Sequence, residues 1–100
     1  MTFEPSKVND FLRIFEENAE RIRNFKGCQH LELLHSIDFP EILFTYSLWE
    51  SAENLDEYRH SDLFIMTWIQ TKKLFSAAPE AWSLNNKWPD ADKLTKKVIK

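Results

Sequence analysis

The stretch that decides the fold is LFTYSLWESAENLDEYRHSDLFIMTWIQTKKLF, residues 43–75. Its first seven residues, Leu43–Trp49, are dominated by aromatic and large apolar side chains, which is typical of a β-strand. Side chains of a strand alternate between its two faces. One face carries Phe44, Tyr46 and Leu48, and the other carries Leu43, Thr45, Ser47 and Trp49. Because both faces hold large side chains, we expect both to be covered in the folded protein.

Two helices are predicted directly after this strand, and each begins at a serine. Ser51 is a good N-cap residue for a short helix, because its hydroxyl can accept a hydrogen bond from a free backbone N–H. Ser61 is an equally good N-cap residue for a longer helix that runs to about Phe75. The sequence therefore predicts a strand followed by a helix in two pieces.

The N-terminal part of the chain predicts a strand, a helix and a second strand. Residues 1–3 are the end of a first strand that is very short. Pro5 and Ser6 open a helix, which ends near Gly27, the one glycine of the chain. Residues 28–36 form the second strand. The apolar stripe of the helix consists of Val8, Phe11, Leu12, Phe15, Ala19 and Ile22.

The C-terminal part begins where Pro79 ends the long helix. Residues 81–85 are predicted to form the last strand, with Trp82 and Leu84 on one face. Beyond it, residues 87–100 form a tail in which Trp88, Ala91, Leu94 and Val98 recur at helical spacing. That spacing predicts a short amphipathic helix from about residue 90, and the alternative is a loose chain end.

The predicted elements follow the order β-α-β-β-α-α-β. This is the ferredoxin-like α+β arrangement, an antiparallel sheet with helices on one face. We expect one domain over residues 1–86, with the tail outside it.

Composition excludes several classes of function. The chain has 100 residues, 43% hydrophobic and 14% aromatic, and a formal net charge of -3. The acidic balance argues against a nucleic-acid partner. No run is long enough to span a membrane, no signal peptide is evident, and the lone cysteine, Cys28, fits a reducing compartment. We therefore expect a cytoplasmic protein with no membrane partner.

Metal and nucleotide chemistry find little support in the sequence. His30 and His35 point to opposite faces of their strand. Cys28, His30 and Glu32 share a face, but three such positions span about 13 Å, too far for one ion. One glycine cannot build a phosphate-binding loop, and no GxSxG motif is present. We expect no metal and no nucleotide cofactor.

The string FTYSLWES-x3-LDEYRHSDLF, followed by PEAWSLN, resembles the antibiotic biosynthesis monooxygenase family. The resemblance covers residues 1 to about 85 and implies a ferredoxin-like domain that pairs sheet to sheet into a dimeric α/β barrel. The family's first strand is longer and central in the sheet, so the short segment 1–3 departs from the pattern. The resemblance is specific for the fold, whereas family members catalyse different reactions.

The family resemblance also implies an aromatic pocket between the sheet and the helices. Some relatives oxygenate quinol-like or anthrone-like molecules without metal or flavin, because the deprotonated substrate itself supplies electrons to oxygen. Such chemistry needs apolar walls and one or two hydrogen-bonding groups. Tyr58 and His60 are the candidates for catalytic groups, although for any single aromatic residue a place in the core is the favoured interpretation. The candidates for the pocket walls are Tyr46, Phe64, Trp68 and Trp82.

Two departures from the family narrow the range of possible functions. Haem-degrading relatives have a haem-ligating histidine where this chain has Trp68, which cannot ligate iron. Relatives acting on quinols or phosphorylated sugars often have a histidine where this chain has Tyr58. The first hypothesis is a cofactor-independent monooxygenase acting on a small aromatic or quinol. The second is a non-catalytic small-molecule-binding or stress-related domain, and haem binding is the third.

Overall fold

A computed structural model describes residues 1–88 and 96–100. A short 3-10 helix, Pro5–Lys7, leads into the first α-helix. The elements that follow are α1 (Val8–Arg23), β1 (Cys28–His35), β2 (Leu43–Trp49), α2 (Ala52–Arg59), α3 (Asp62–Lys72), β3 (Trp82–Leu84) and β4 (Lys96–Ile99). The strands form one antiparallel sheet in the order β1-β2-β4-β3. The predicted α+β class with helices on one face is confirmed.

The place beside β2 is filled by both ends of the chain. Met1 exchanges two hydrogen bonds with Leu43, each 2.9 Å long, and Thr2 forms an isolated bridge with Ile42. Further along β2, Thr45 exchanges two 3.0 Å hydrogen bonds with Lys100. The short first segment therefore pairs with only the start of this edge of β2, and β4 pairs with the rest, because a central strand needs partners on both edges.

The prediction of an amphipathic helix in the tail is wrong for its last residues, Lys96–Ile99. Lys96–Ile99 form a strand that pairs with β2 on one side and β3 on the other. Residues 89–95, where the rest of that helix was predicted, lie outside the described residues. The last residues of the tail thus belong to the same sheet as the domain, since long-range strand pairing overrides a local helical pattern.

Two of the three predicted helix N-caps are confirmed. Ser51 Oγ accepts a 3.1 Å hydrogen bond from the Asn54 backbone N–H, and Ser61 Oγ accepts a 3.2 Å bond from Phe64 N–H. The predicted cap at Ser6 is wrong, because that residue lies within the 3-10 helix and α1 begins at Val8.

The two faces of the sheet differ in what covers them. The inner face carries Leu43, Trp49 and Val98, all buried beneath the helices and the aromatic side chains around them. The outer face carries no helix in the described part of the chain, and Trp82 there is 49% exposed. Cover on both faces, as the sequence predicted for β2, is therefore not present within one described chain.

A tight turn sets the position of α2 on the inner face. Gly27, between α1 and β1, adopts a φ of 88°, which side-chain-bearing residues rarely adopt. Its carbonyl oxygen accepts a 2.8 Å hydrogen bond from Glu50 N–H at the end of β2. A Cβ atom at this position would lie 2.3 Å from Asn54 Cβ, so only glycine allows α2 to approach this closely.

Candidate functional site

A cavity of about 80 Å³ lies between the inner face of the sheet and the helices. Its floor includes Thr45, Ser47 and Trp49 of β2, which alternate with side chains on the outer face. Its roof includes Tyr58 of α2 and Phe64 and Trp68 of α3. The cavity is thus predominantly apolar and aromatic, as small-molecule sites commonly are.

Tyr58 is held by aromatic rings on several sides. It stacks on Trp49 with ring centroids 5.0 Å apart and meets Phe25 edge-on at 5.3 Å. Phe64 meets it edge-on at 5.2 Å. Burial raises the pKa of Tyr58, with a smaller contribution from nearby Cys28. The phenol therefore stays neutral and can act as a hydrogen-bond donor.

Phe64 and Trp68 form a parallel aromatic pair on α3. They are four residues apart, which places them on the same side of the helix. Their rings stack with centroids 6.0 Å apart and an interplanar angle of 7°. Trp68 also meets Phe75 edge-on at 5.6 Å, which fixes the far end of the pair. The Ser61 cap fixes the start of α3 and therefore the position of both rings.

Lys100 brings a positive charge onto this aromatic pair. Its Nζ atom lies 4.3 Å from the Phe64 ring centroid and 5.0 Å from that of Trp68. An ammonium over a ring face is attracted by the electron-rich π system. Burial, with a smaller contribution from the nearby charge of Arg59, lowers the pKa of Lys100 to about 8. The lysine can thus change protonation state near neutral pH.

Hydroxyl groups on the cavity wall are engaged with the protein itself. Trp49 Nε1–H donates a 3.0 Å hydrogen bond to Ser47 Oγ. Thr71 Oγ1 donates a 2.8 Å bond to the Thr67 carbonyl oxygen one helical turn earlier. These bonds satisfy buried polar atoms and fix the shape of the cavity.

A more open cleft of about 360 Å³ adjoins the cavity. The two spaces share five lining residues, which we call the neck: Met1, Arg59, Phe64, Trp68 and Lys100. The cleft adds Pro79, Glu80 and Ala81 from the segment before β3. A planar ring entering from solvent would therefore pass the two cationic side chains and the aromatic pair of the neck.

The structure brings three of the six candidate residues together. Tyr58, Phe64 and Trp68 line the cavity. Tyr46 and Trp82 instead lie on the outer face, where each pairs across the sheet with Ile99 of β4. Strand alternation explains this, since Tyr46 cannot share a face with Ser47 or Trp49.

His60 lies at the end of α2, exposed to solvent and away from the cavity lining. Its Nδ1 atom is 2.8 Å from the Asp56 carbonyl oxygen and 3.9 Å from an Asp56 carboxylate oxygen. Its side chain thus caps the last turn of its own helix. A contribution to the cavity from His60 would need a rearrangement of that turn.

Sequence reasoning missed Lys100 because it read the tail as a short helix or a loose chain end, not as a strand of the sheet. As the residue after β4, Lys100 lies on the same face as Val98, which is buried in the inner core. Alternation along a strand would have identified it, had the strand itself been predicted. Trp49 was assigned a strand face but not a place in the cavity, although Tyr58 rests on it.

The described residues contain no group of three or more His, Cys, Asp or Glu side chains arranged to hold a metal ion. The ladder is irregular between Cys28 and His30, and Cys28 packs against the inner cluster around Trp49. His30 Nε2 lies 2.6 Å from Glu32 Oε1, with both side chains partly exposed. Burial raises the pKa of the Cys28 thiol, which makes it a weaker nucleophile at neutral pH.

The fold and cavity together define a small α+β domain of the ferredoxin-like kind with an internal cavity lined by aromatic side chains. The antibiotic biosynthesis monooxygenase family profile matches residues 1–66, and the chain belongs to that family. No curated protein is significantly similar to the chain in sequence. The described part of the chain also has no helix with the length and apolar character needed to cross a membrane.

Two solved structures share the fold at low sequence identity. A conserved protein from Methanosarcina mazei Go1 superposes with a TM-score of 0.76 and 23% identity, over 79% of this chain and 78% of that one. A structure described as an antibiotic biosynthesis monooxygenase superposes with a TM-score of 0.72 and 16% identity, over 77% of this chain and 81% of that one. At such identities the similarity establishes the fold.

Proposed function

We propose that the protein is a cofactor-independent monooxygenase that acts on a small aromatic or quinol-like substrate. One observation carries the proposal: a cavity in a family domain is lined by Trp49, Tyr58, Phe64 and Trp68, with the neck opening toward solvent. Stacked and edge-on rings bind a planar aromatic molecule well. The wall thus has the apolar character that this type of oxygenation requires.

The reaction needs an electron-rich substrate and molecular oxygen. Loss of a proton gives a carbanion or phenolate, which adds to O2 and forms a peroxide on the ring carbon. The hydrogen that remains on that carbon is lost as the O–O bond of the peroxide breaks, which leaves one oxygen atom as a ketone and releases the other, with this hydrogen, as hydroxide. The hydroxide takes up the proton first removed, so one substrate and one O2 give one quinone-type product and one water. The neutral Tyr58 hydroxyl is suited to donate a hydrogen bond to a substrate oxygen.

The test is oxygen uptake by the metal-stripped protein with hydroquinones, anthrones and catechols. We expect saturable uptake, reduced about tenfold or more by Tyr58→Phe because a hydrogen bond to a developing charge is lost. The chain has two tyrosines, and Tyr46→Phe on the outer face is the matched control that should leave uptake unchanged. No uptake above the protein-free rate across the panel would reject the proposal.

A second candidate is a non-catalytic small-molecule-binding or stress-related domain. The observation that favours it is the cavity lining, which in the described residues includes no histidine or carboxylate to remove a substrate proton. Ligand-induced thermal stabilisation by the same compounds, with no oxygen uptake, would support binding alone. Haem is the least favoured ligand, because the lining also lacks a described histidine or cysteine to ligate iron.

We propose further that the protein works as a cytoplasmic homodimer joined through the outer face of the sheet. Phe44, Tyr46 and Leu48 of β2 lie there, and no described helix covers them. An apolar sheet face of this kind is characteristic of an interaction surface. Tyr46→Glu should convert a dimer to a monomer in sedimentation velocity, while Glu32→Gln on the same face should not. A wild-type monomer at every concentration tested would contradict the proposal.

A further inference from the structure

Two cationic side chains, Lys100 and Arg59, line both the cavity and the cleft. Among the described residues, the cavity lining includes no Asp or Glu side chain, and the cleft lining includes one, Glu80. The whole chain carries a net charge of -3, so a positive neck runs against its overall balance. The charge at this place therefore favours a ligand with the opposite sign.

The position of the lysine matters as much as its charge. Its Nζ atom lies directly over the faces of Phe64 and Trp68, within 5.0 Å of both ring centroids. An ammonium in an apolar setting has lost much of its hydration and gains strongly from an anionic oxygen that replaces water. A flat ring placed beside the aromatic pair would bring a ring substituent within reach of the ammonium.

We propose that the neck recognises an aromatic molecule by an anionic oxygen on its ring, a phenolate or a carboxylate, with Lys100 Nζ as the contact and Arg59 as a second cation. This rests on the proposed function for the location of the ligand, and it deepens that function by naming the substrate class. A phenolate is also the electron-rich form that reacts with oxygen, so Lys100 would select the reactive form of a phenolic substrate.

The experiment measures which protonation state of 4-nitrophenol the protein binds. The phenolate is yellow and the phenol is not, so a pH titration with and without saturating protein gives the pKa of the bound probe. We expect binding to lower that pKa by about one unit, a tenfold preference for the phenolate. A second experiment compares benzoate with its neutral analogue benzamide, to test for recognition of a carboxylate. If the neck binds carboxylates, we expect benzoate to bind about tenfold more tightly than benzamide.

Two lysine variants separate this role from general effects of charge. Lys100→Met keeps an unbranched side chain of nearly the same length without the charge. It should abolish the anion preference while leaving benzamide affinity within about twofold. Lys97→Met removes the same charge from β4 on the outer face, and should keep the preference. Circular dichroism establishes that both variants are folded before binding is compared.

Each outcome separates this inference from the proposed enzyme activity, because neither benzoate nor benzamide is oxidised. A phenolate preference that depends on Lys100, without oxygen uptake by any quinol, would retain the inference and reject the monooxygenase. Oxygen uptake with an unshifted probe pKa would retain the enzyme and reject the inference. Equal anion preference in wild type and Lys100→Met, or no binding of any probe, would also overturn it.

Discussion

The inner and outer faces of the same four-stranded sheet both carry large side chains, but the surroundings of these side chains are very different. Trp49 on the inner face is 1% exposed and contacts α2 side chains, whereas Trp82 on the outer face is 49% exposed. The inner face therefore supports the fold of a single chain and encloses the cavity. The outer face contributes little to the stability of a single folded chain, so its large side chains remain accessible to other molecules. Composition alone cannot reveal this difference, because it arises from strand alternation.

The largest expected effect compares these two tryptophans directly. Trp49→Ala should lower the free energy of unfolding by about 3–5 kcal/mol, because it leaves a cavity beneath Tyr58. Trp82→Ala should change it by about 0.5 kcal/mol in the monomer. Urea denaturation at concentrations where the chain is monomeric measures both. Similar losses would mean that the two faces are equally part of the core.

The next effect concerns the turn that brings α2 onto the inner face. Gly27→Ala should destabilise the protein by about 1–3 kcal/mol, because of the positive φ and the close approach of Asn54. Gly27→Asn tolerates positive φ better but meets the same crowding. Full recovery of stability in Gly27→Asn, measured by thermal unfolding, would show that backbone strain alone matters.

A pH-dependent effect distinguishes the partly buried Lys100 from Lys97 on the outer face. The pKa of Lys100 is about 8 in the folded chain and 10.5 when unperturbed, so between these values the unfolded chain binds more protons. The contribution of Lys100 to the free energy of unfolding should therefore increase with pH across that window, by an amount on the order of 1–3 kcal/mol. Cys28 and Tyr58, whose pKa values are raised, oppose this trend.

The difference between wild type and Lys100→Met isolates the lysine from those opposing groups. Denaturation from pH 7 to 10.5 should show the rise in wild type and in Lys97→Met, but not in Lys100→Met. An identical slope in all three proteins would place Lys100 in solvent rather than over the aromatic pair.

The smallest expected effect tests the cap that positions α3 over the inner face. Ser61→Ala should cost about 1 kcal/mol, because the Phe64 N–H loses its acceptor. Ser6→Ala is the control, and should lie within about 0.5 kcal/mol of wild type because Ser6 is exposed and caps no helix. Equal costs at both serines would contradict the assignment of the caps.

The parts of the fold that sequence predicted are those specified locally. The caps at Ser51 and Ser61, the bounds of β2 and the left-handed turn at Gly27 all follow from short-range chemistry. The strand at Lys96–Ile99 does not, because its pairing with β2 joins residues about half the chain apart. Local spacing there favoured a helix, and only the gap beside β2 makes a strand the better solution.

The candidate site divides in the same way. Phe64 and Trp68 could be placed together from helical spacing, and Tyr58 from its position on the preceding helix. Tyr46 and Trp82 required knowing which face of the sheet the helices cover. Lys100 required knowing that the chain's last residues join the sheet. The aromatic walls were thus predictable, whereas the charge at the neck came from tertiary structure.

The pairing of both chain ends with β2 has a consequence for the connectivity of this fold. Lys100 pairs with Thr45, and Met1 pairs with Leu43. Both segments run antiparallel to β2, so they run in the same direction as each other. Only the position opposite Phe44 separates the two ends in the described register. A linker of about one residue, at roughly 3.3 Å per strand position, would therefore join them into one continuous central strand. New ends could open in the exposed turn at Ile37. The resulting circular permutant would carry the central strand in a single covalent piece.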